Sequence, residues 1–271
     1  MSRKISVALV GAGAMGGALL KGWLASDAID AATSAVFEPM SETDAVARAR
    51  ISGVRVNPDP ATVSVDALVL AVKPQAVDEV LPRFAPIARR SLTVSVMAGV
   101  SLAGVEARLG SPRAVRAMPN LPAQVGAGVS GLFGPPSVSP ADRRIAETLL
   151  QAAGEVVWVQ SEREIDVVTA VSGSGPAYFF LLVEALADAG AALGLESDAA
   201  ARLARATAIG SGALLAADPR PAAELRMAVT SPGGTTEAAL RALDGDERAL
   251  RTLMKAALAA AARRASEISG T

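Results

Sequence analysis

The chain contains neither cysteine nor histidine. The first absence excludes disulfides and thiolate chemistry and suits a reducing compartment, so a cytoplasmic location is expected. The second removes the usual general acid or base and the commonest metal ligand, and no metal site is expected. Chemistry must therefore rest on hydroxyls, carboxylates, lysines, backbone amides or a cofactor. A run of basic residues is also lacking. With 26 basic and 27 acidic side chains the net charge is −1, which argues against a nucleic acid or an anionic membrane as partner. Long hydrophobic runs are missing too. The start "MSRKISVALVGAG" superficially resembles a secretion signal, but glycines break its short apolar stretch, which reads as a strand. Val167 to Val183 falls short of the roughly 20 residues a membrane span needs, and Gly-Ser-Gly-Pro interrupts it. Residues 117–141 are too rich in Pro and Gly for one helix. These features lead to the expectation of a soluble protein.

What is present is a chain of 271 residues, half of them apolar, enough for two domains. Up to about residue 160, short apolar runs alternate with helical patterns: 5–10, 34–38, 66–72, 91–98, 113–118, 128–133 and 155–159 read as strands. Such alternation predicts an α/β domain with a mostly parallel sheet covered on both faces. From Glu162 to Ile268 only helical patterns occur, with breaks expected at 172–176, 194–197, 218–221 and 230–235. The expectation is a dinucleotide-binding domain over 1–160 and an all-helical domain over 161–271. The helical half is rich in Ala and Gly, which bury little area each, so its remaining apolar faces are expected to pack on a second copy of the chain.

Four motifs carry the chemistry. In "VALVGAGAMGGAL", Gly11, Gly13 and Gly16 form G-x-G-x-x-G between a strand and a helix. The glycines allow a tight turn, the approach of a pyrophosphate and close helix–strand packing. Glu38 ends the second strand, 22 residues beyond Gly16, where a carboxylate can accept from ribose hydroxyls and repel a 2′-phosphate. It therefore leans toward NADH, although Arg48 and Arg50 follow closely. In "LVLAVKPQAV", Ala71 and Val72 end a strand at the ligand-binding edge; Lys73 is explained as a solvated lysine before Pro74, which would open a helix, and is given no catalytic role. Asn120, in "VRAMPNLPAQVGAG", either orients a ligand amide or caps a turn. Finally, "SGSGP" (172–176) and "TSPGGTTEAAL" (230–240) are two Gly- and hydroxyl-rich helix entrances. The first either caps a helix joining the domains or leaves its backbone exposed to whatever lies beside it; the second either caps a helix or forms a socket in which backbone amides and the helix dipole receive an anion.

With "GAGAMGGAL", "AVKPQ", "MPNLP", "VTAVSGSGPAY" and "TSPGGTTEAAL" in this order, the chain resembles the pyrroline-5-carboxylate reductase family over essentially its whole length. The resemblance implies a Rossmann-type domain followed by a helical domain that intertwines with a second subunit, in dimers that can assemble into rings. It implies reduction of 1-pyrroline-5-carboxylate to L-proline by hydride from NADPH or NADH. The cofactor would contact Gly11, Ala12, Gly13, Ala14, Met15 and Gly16, then Glu38, then Ala71, Val72 and Lys73, then Val96 and Ala98. The substrate would lie at Ser231, Gly233, Gly234, Thr235 and Thr236, with the Thr236 hydroxyl at the ring nitrogen as the catalytic contact and Glu162 nearby. Many members carry Ser or Thr where this chain has Glu38. An imine nitrogen is basic enough to be protonated near neutral pH, so the missing histidine is no obstacle. Two alternatives compete. A β-hydroxyacid-type dehydrogenase would need a catalytic lysine in the helical half, which holds only Lys255. A non-enzymatic dinucleotide-binding regulator would have no need of both substrate loops.

Overall fold

The computed structural model describes residues 4–270. Residues 1–3 of the stretch weighed above as a secretion signal lie outside them. Among the described residues, eight strands form one sheet: β1 (Val7–Val10), β2 (Ala35–Phe37), β3 (Arg55–Val56), β4 (Ala67–Leu70), β5 (Leu92–Ser95), β6 (Ala114–Met118), β7 (Gly128–Phe133) and β8 (Gly154–Trp158). Their order is β3-β2-β1-β4-β5-β6-β7-β8. All neighbours run parallel except β6 and β7, which are antiparallel. The two-residue β3 is not foreseen by the sequence, and neither is the reversal at β7. Between β1 and β4 the chain order changes direction, which opens a crevice at the carboxyl ends of the two strands.

The apolar runs are continuous because each strand is covered twice. Val7 and Leu9 of β1, Ala67 and Val69 of β4, and Leu92 and Val94 of β5 face one core, with Leu19, Leu20 and Trp23 of α1 (Ala14–Ala25). Their alternates Ala8, Val10, Leu68 and Leu70 face a second core with Leu81, Phe84, Val105 and Leu109. Trp23 is fully buried, and its indole N–H donates to the Leu149 carbonyl at 2.7 Å. Emptying that site would cost about 3–5 kcal/mol. The covering helices are α2 (Asp44–Ile51), the single turns α3 (Val77–Val80) and α4 (Ala85–Ala88), α5 (Leu102–Leu109) and α6 (Pro140–Gln151). Helix α6 starts with a reciprocal cap: Ser139 accepts from the Asp142 amide while Asp142 accepts from the Ser139 amide.

The remaining helices are α7 (Glu164–Val168), α8 (Gly175–Ala192), α9 (Ser197–Ala217), α10 (Ala222–Ala228), α11 (Thr235–Asp244) and α12 (Ala249–Ser269). The expected breaks near 195, 220 and 232 occur, with one more between α11 and α12. The break expected at 172–176 is reduced to Ser174: residues Thr169–Gly173 form a π-turn that continues α7, Ser174 is non-helical, and α8 starts at Gly175. Taken together, Glu164–Ala192 is long and apolar enough to cross a membrane by length and composition alone, so the Gly-Ser-Gly-Pro segment interrupts it less than anticipated. Pro176 is tolerated because it falls in the first turn of α8.

The chain forms two compact units. One runs through Ser174 and takes back the residues from Ala261 onward; the other is Gly175–Ala260. The strands therefore end at Trp158, 16 residues before the unit's first segment does. Within the second unit α8 and α9 pack on each other, yet Phe179, Phe180, Leu181 and Leu182 remain 58–68% exposed, and Ile209, Leu215 and Leu253 are exposed as well. Such a surface on one chain is expected to be covered in an assembly.

Candidate active site

The Gly-rich turn after β1 is built by close backbone contact. Gly11 has φ +89°, and its N–H donates to the Phe37 carbonyl at 2.9 Å. A Cβ there would sit 2.7 Å from the Ala71 carbonyl oxygen, so the ends of β1 and β4 touch through it. A Cβ on Gly16 would fall 2.0 Å from the Gly11 oxygen. Gly13 differs: its φ is an ordinary −67° and nothing lies within 4 Å of where its Cβ would be. It opens α1 without any side-chain cap, and the amides of Ala14, Met15 and Gly16 have no hydrogen-bond partner among the described residues. Open space in front of uncapped helix amides fits a pyrophosphate. A groove of about 370 Å³ lies there, lined by Ala12, Gly13, Ala14, Lys21, Thr43 and Arg48, among others. The Met15 side chain packs against the core.

Glu38 is buried at the end of β2. Its carboxylate accepts from the Ala12 amide at 2.8 Å and from the Met40 amide at 3.1 Å. It thus pins the Gly-rich turn, with lone pairs left over for a hydroxyl. Asn57, at φ +49°, grips the Glu38 backbone from both sides, accepting from its N–H and donating to its carbonyl. The sequence reading missed Asn57; its only signal is the Asn-Pro-Asp turn after a strand too short to recognise. Ala71 and Val72 are half-buried, and Lys73 is exposed and precedes a short 3-10 turn opened by Pro74. Val96 is buried, with its N–H donating to the Leu70 carbonyl, and Ala98 is exposed beyond it. The structure therefore brings the Gly11–Gly16 turn, Glu38, Ala71–Lys73 and Val96–Ala98 to one edge of the sheet.

Glu162 also belongs to the first unit, and its carboxylate is engaged. It accepts from the Leu102 amide at 2.7 Å and from Arg116 at 3.1 Å. Arg116 is 3% exposed and also pairs with Asp166 at 3.5 Å. An arginine inside the apolar run "RAVRAM" is the signal that could have revealed this network, since a buried cation requires such partners.

In the second unit, α11 begins at Gly234 with no side-chain cap. Gly233 has φ +70°, and its N–H donates to the Glu237 carboxylate at 2.6 Å. That bond, with Arg241 beside it, holds the Glu237 carboxyl below the usual carboxylate range. Ser231 is exposed, and its carbonyl accepts from the Gly234 N–H. The amides and hydroxyls of exposed Thr235 and half-buried Thr236 have no hydrogen-bond partner among the described residues. No side chain caps this helix entrance. A separate cavity of about 620 Å³ between α10, α11 and the start of α12 is lined by Arg226, Arg241, Arg248 and Arg251 and does not include Ser231 or Gly233–Thr236.

Comparison with known proteins places these features. Residues 162–268 match the family model described as pyrroline-5-carboxylate reductase dimerisation, and residues 6–99 match one described as NADP oxidoreductase coenzyme F420-dependent. The pyrroline-5-carboxylate reductase of Pseudomonas aeruginosa is 42% identical over 97% of this chain and 96% of its own. That of Vibrio alginolyticus is 36% identical over 97% of each. Among solved structures, a pyrroline-5-carboxylate reductase from Coxiella burnetii superposes with a TM-score of 0.90 at 35% identity, covering 99% of this chain and 100% of that one. A Plasmodium falciparum pyrroline carboxylate reductase with NADP bound gives a TM-score of 0.79 at 26% identity over 98% of both. A Rossmann-like sheet with an uncapped Gly-rich turn, a helical half with a second uncapped entrance, and likeness over the full length converge on one assignment: the chain is an oxidoreductase and belongs to the pyrroline-5-carboxylate reductase family.

Proposed function

We propose that the chain reduces 1-pyrroline-5-carboxylate to L-proline with a reduced nicotinamide dinucleotide, using the α1 entrance for the pyrophosphate and the α11 entrance for the substrate carboxylate. The single observation that carries this reading is the pair of uncapped helix entrances, each preceded by glycine and each with unpartnered amides. When bound, the dinucleotide supplies the hydride that reduces the imine carbon. The amides of Thr235 and Thr236 bind the carboxylate, helped by the positive end of α11. The Thr236 hydroxyl accepts from the protonated ring nitrogen and orients it, and as the catalytic contact it can relay a proton there. The protein needs no strong acid, because the substrate nitrogen arrives largely protonated.

Glu38 favours NADH in this reading, because its buried carboxylate can accept from a ribose hydroxyl and repels a 2′-phosphate. Lys73 holds the cofactor edge, and Glu162 secures the start of α7. Two chains associate through the exposed apolar faces of α8 and α9, which supports a homo-oligomer built from dimers.

The test is oxidation of NADH and NADPH at 340 nm with 1-pyrroline-5-carboxylate, for the wild type and for Thr236→Ala and Thr236→Ser. The alanine variant is expected to lose about 10- to 100-fold in kcat/KM, the worth of one hydrogen bond to a charged group, with much of it restored by serine. Wild-type kinetics in the alanine variant would remove Thr236 from the mechanism. Cofactor binding without turnover in the wild type would overturn the assignment of substrate.

A further inference from the structure

We propose that Asn120 is a positioning residue for the reaction: it stands in for the amide that Pro176 lacks, and so holds the π-turn of the "SGSGP" segment at the cofactor edge of the sheet. In a continuous α-helix the carbonyl of Ser172 would accept from the N–H of residue 176. That residue is Pro176, which has no N–H. The Asn120 side-chain amide donates to the Ser172 carbonyl at 3.1 Å, while its oxygen accepts from the Val129 amide at 2.9 Å. Asn120 is buried, and both ends of its amide are used.

The same strand end grips the helix at two other points. Arg116 pairs with Glu162 and Asp166, before and within α7. A Cβ on Gly173 would come within 2.9 Å of the Met118 methyl carbon, so π-turn and strand end are in contact. Arg116, Met118 and Asn120 are spaced by two, and together they hold segment 162–173, Arg116 at its start and Met118 and Asn120 at its end. On the neighbouring strand, a Cβ on Gly131 would fall 2.5 Å from Val168, which leaves the helix no slack toward the sheet. The helix thus climbs along β6 and β7 and brings its π-turn to the carboxyl end of β6. β6 lies beside β5, which leads to Val96 and Ala98. A π-turn widens a helix and is commonly found at functional sites. Here it arranges Ser172–Ser174 beside the edge where the proposed function puts the dinucleotide. The inference rests on that reading for its effect on catalysis, and on geometry alone for the Asn120–Ser172 link.

The test compares Asn120→Asp, Pro176→Ala and the double variant in the full-length protein. Asn120→Asp keeps the acceptor for Val129 but turns a carboxylate oxygen on the Ser172 carbonyl. The imine KM is expected to rise about tenfold with the cofactor Kd unchanged within about twofold, the scale of one lost hydrogen bond. Pro176→Ala restores a backbone donor, so the double variant is expected to recover most of the loss. Amide hydrogen exchange over 170–177 should quicken in Asn120→Asp and slow again in the double variant, whether or not the imine is the substrate. Unchanged exchange in Asn120→Asp would overturn the structural link. Faster exchange with an unchanged imine KM would overturn the positioning role. A KM rise that Pro176→Ala does not relieve would show that Asn120 acts by another route.

Discussion

Gly13→Ala separates what the fold needs from what the cofactor needs. A methyl at this position meets nothing within 4 Å, and φ −67° suits alanine. The substitution loses some helix-entry preference, since glycine is the better N-cap by roughly 0.5–1 kcal/mol. It recovers about 0.4–1 kcal/mol by restricting the unfolded chain. The two nearly cancel, so the melting temperature of the free protein should move by no more than about 2–4 °C. The methyl does, however, stand in the open space before the amides of Ala14, Met15 and Gly16. A pyrophosphate held on those amides would be pushed back by about an ångström and would lose one charge-assisted hydrogen bond, worth about 1.5–3 kcal/mol. Dinucleotide Kd should therefore rise about 10- to 100-fold. Calorimetric titration with NADH and NADPH, alongside thermal unfolding without ligand, measures both quantities. Wild-type affinity in Gly13→Ala would refute the placement of the pyrophosphate. A large drop in melting temperature would refute the claim that this glycine is free of the fold.

Two further outcomes are expected. Glu38→Gln removes the charge and leaves an acceptor for only one of the two amides that the carboxylate binds, Ala12 and Met40, and should raise NADPH affinity relative to NADH about tenfold, from about 1–2 kcal/mol of relieved repulsion; an unchanged ratio in paired titrations would take Glu38 out of cofactor selection. Asp142 is buried, which by itself raises its pKa, but bonds from Arg113 and Ser139 outweigh burial and hold it below its ordinary 3.8. Its contribution is thus complete above that value and is lost as pH falls through the lowered pKa of the folded state. Asp142→Asn should cost about 1–3 kcal/mol in urea unfolding at pH 7, with the gap to wild type closing below about pH 4; a constant gap would contradict the argument.

Much of this was legible because the signals are local. Val7–Val10, Ala67–Leu70 and Leu92–Ser95 are recognisable as strands since both faces are buried and every residue must be apolar or small. Gly11, Gly13 and Gly16 announce the turn by their spacing. What was hidden depends on partners distant in the chain. No local feature of 172–176 says that a π-turn reaches as far as Gly173, because the donor to the Ser172 carbonyl sits on Asn120, 52 residues earlier. The reversal of β7 is equally silent: Gly128–Phe133 has the same apolar character it would have in a parallel strand. Arg116 and Asn57 escaped notice because a polar residue in a strand or turn reads as solvated until its partners are seen. For the helix entrance at α11, sequence left cap and anion socket equally open; an N-cap that is Gly234, with no side chain to offer, favours the socket.

The return of the final helix to the first unit bears on how the protein is made. Ile268 occupies the space beside Gly99, with its Cγ2 only 2.4 Å from where a Cβ would be, and the Ser269 hydroxyl donates to Asp166 at 3.3 Å. Gly99 follows directly on Ala98, at the cofactor edge. A ribosome therefore delivers all of Gly175–Ala260 before the residues that close this corner. At about 5–20 residues per second, several seconds pass between synthesis of the sheet and synthesis of its last contact. In the proposed reading, dinucleotide present during translation meets an edge that stays open behind Gly99 until the residues from Ala261 onward join the first unit.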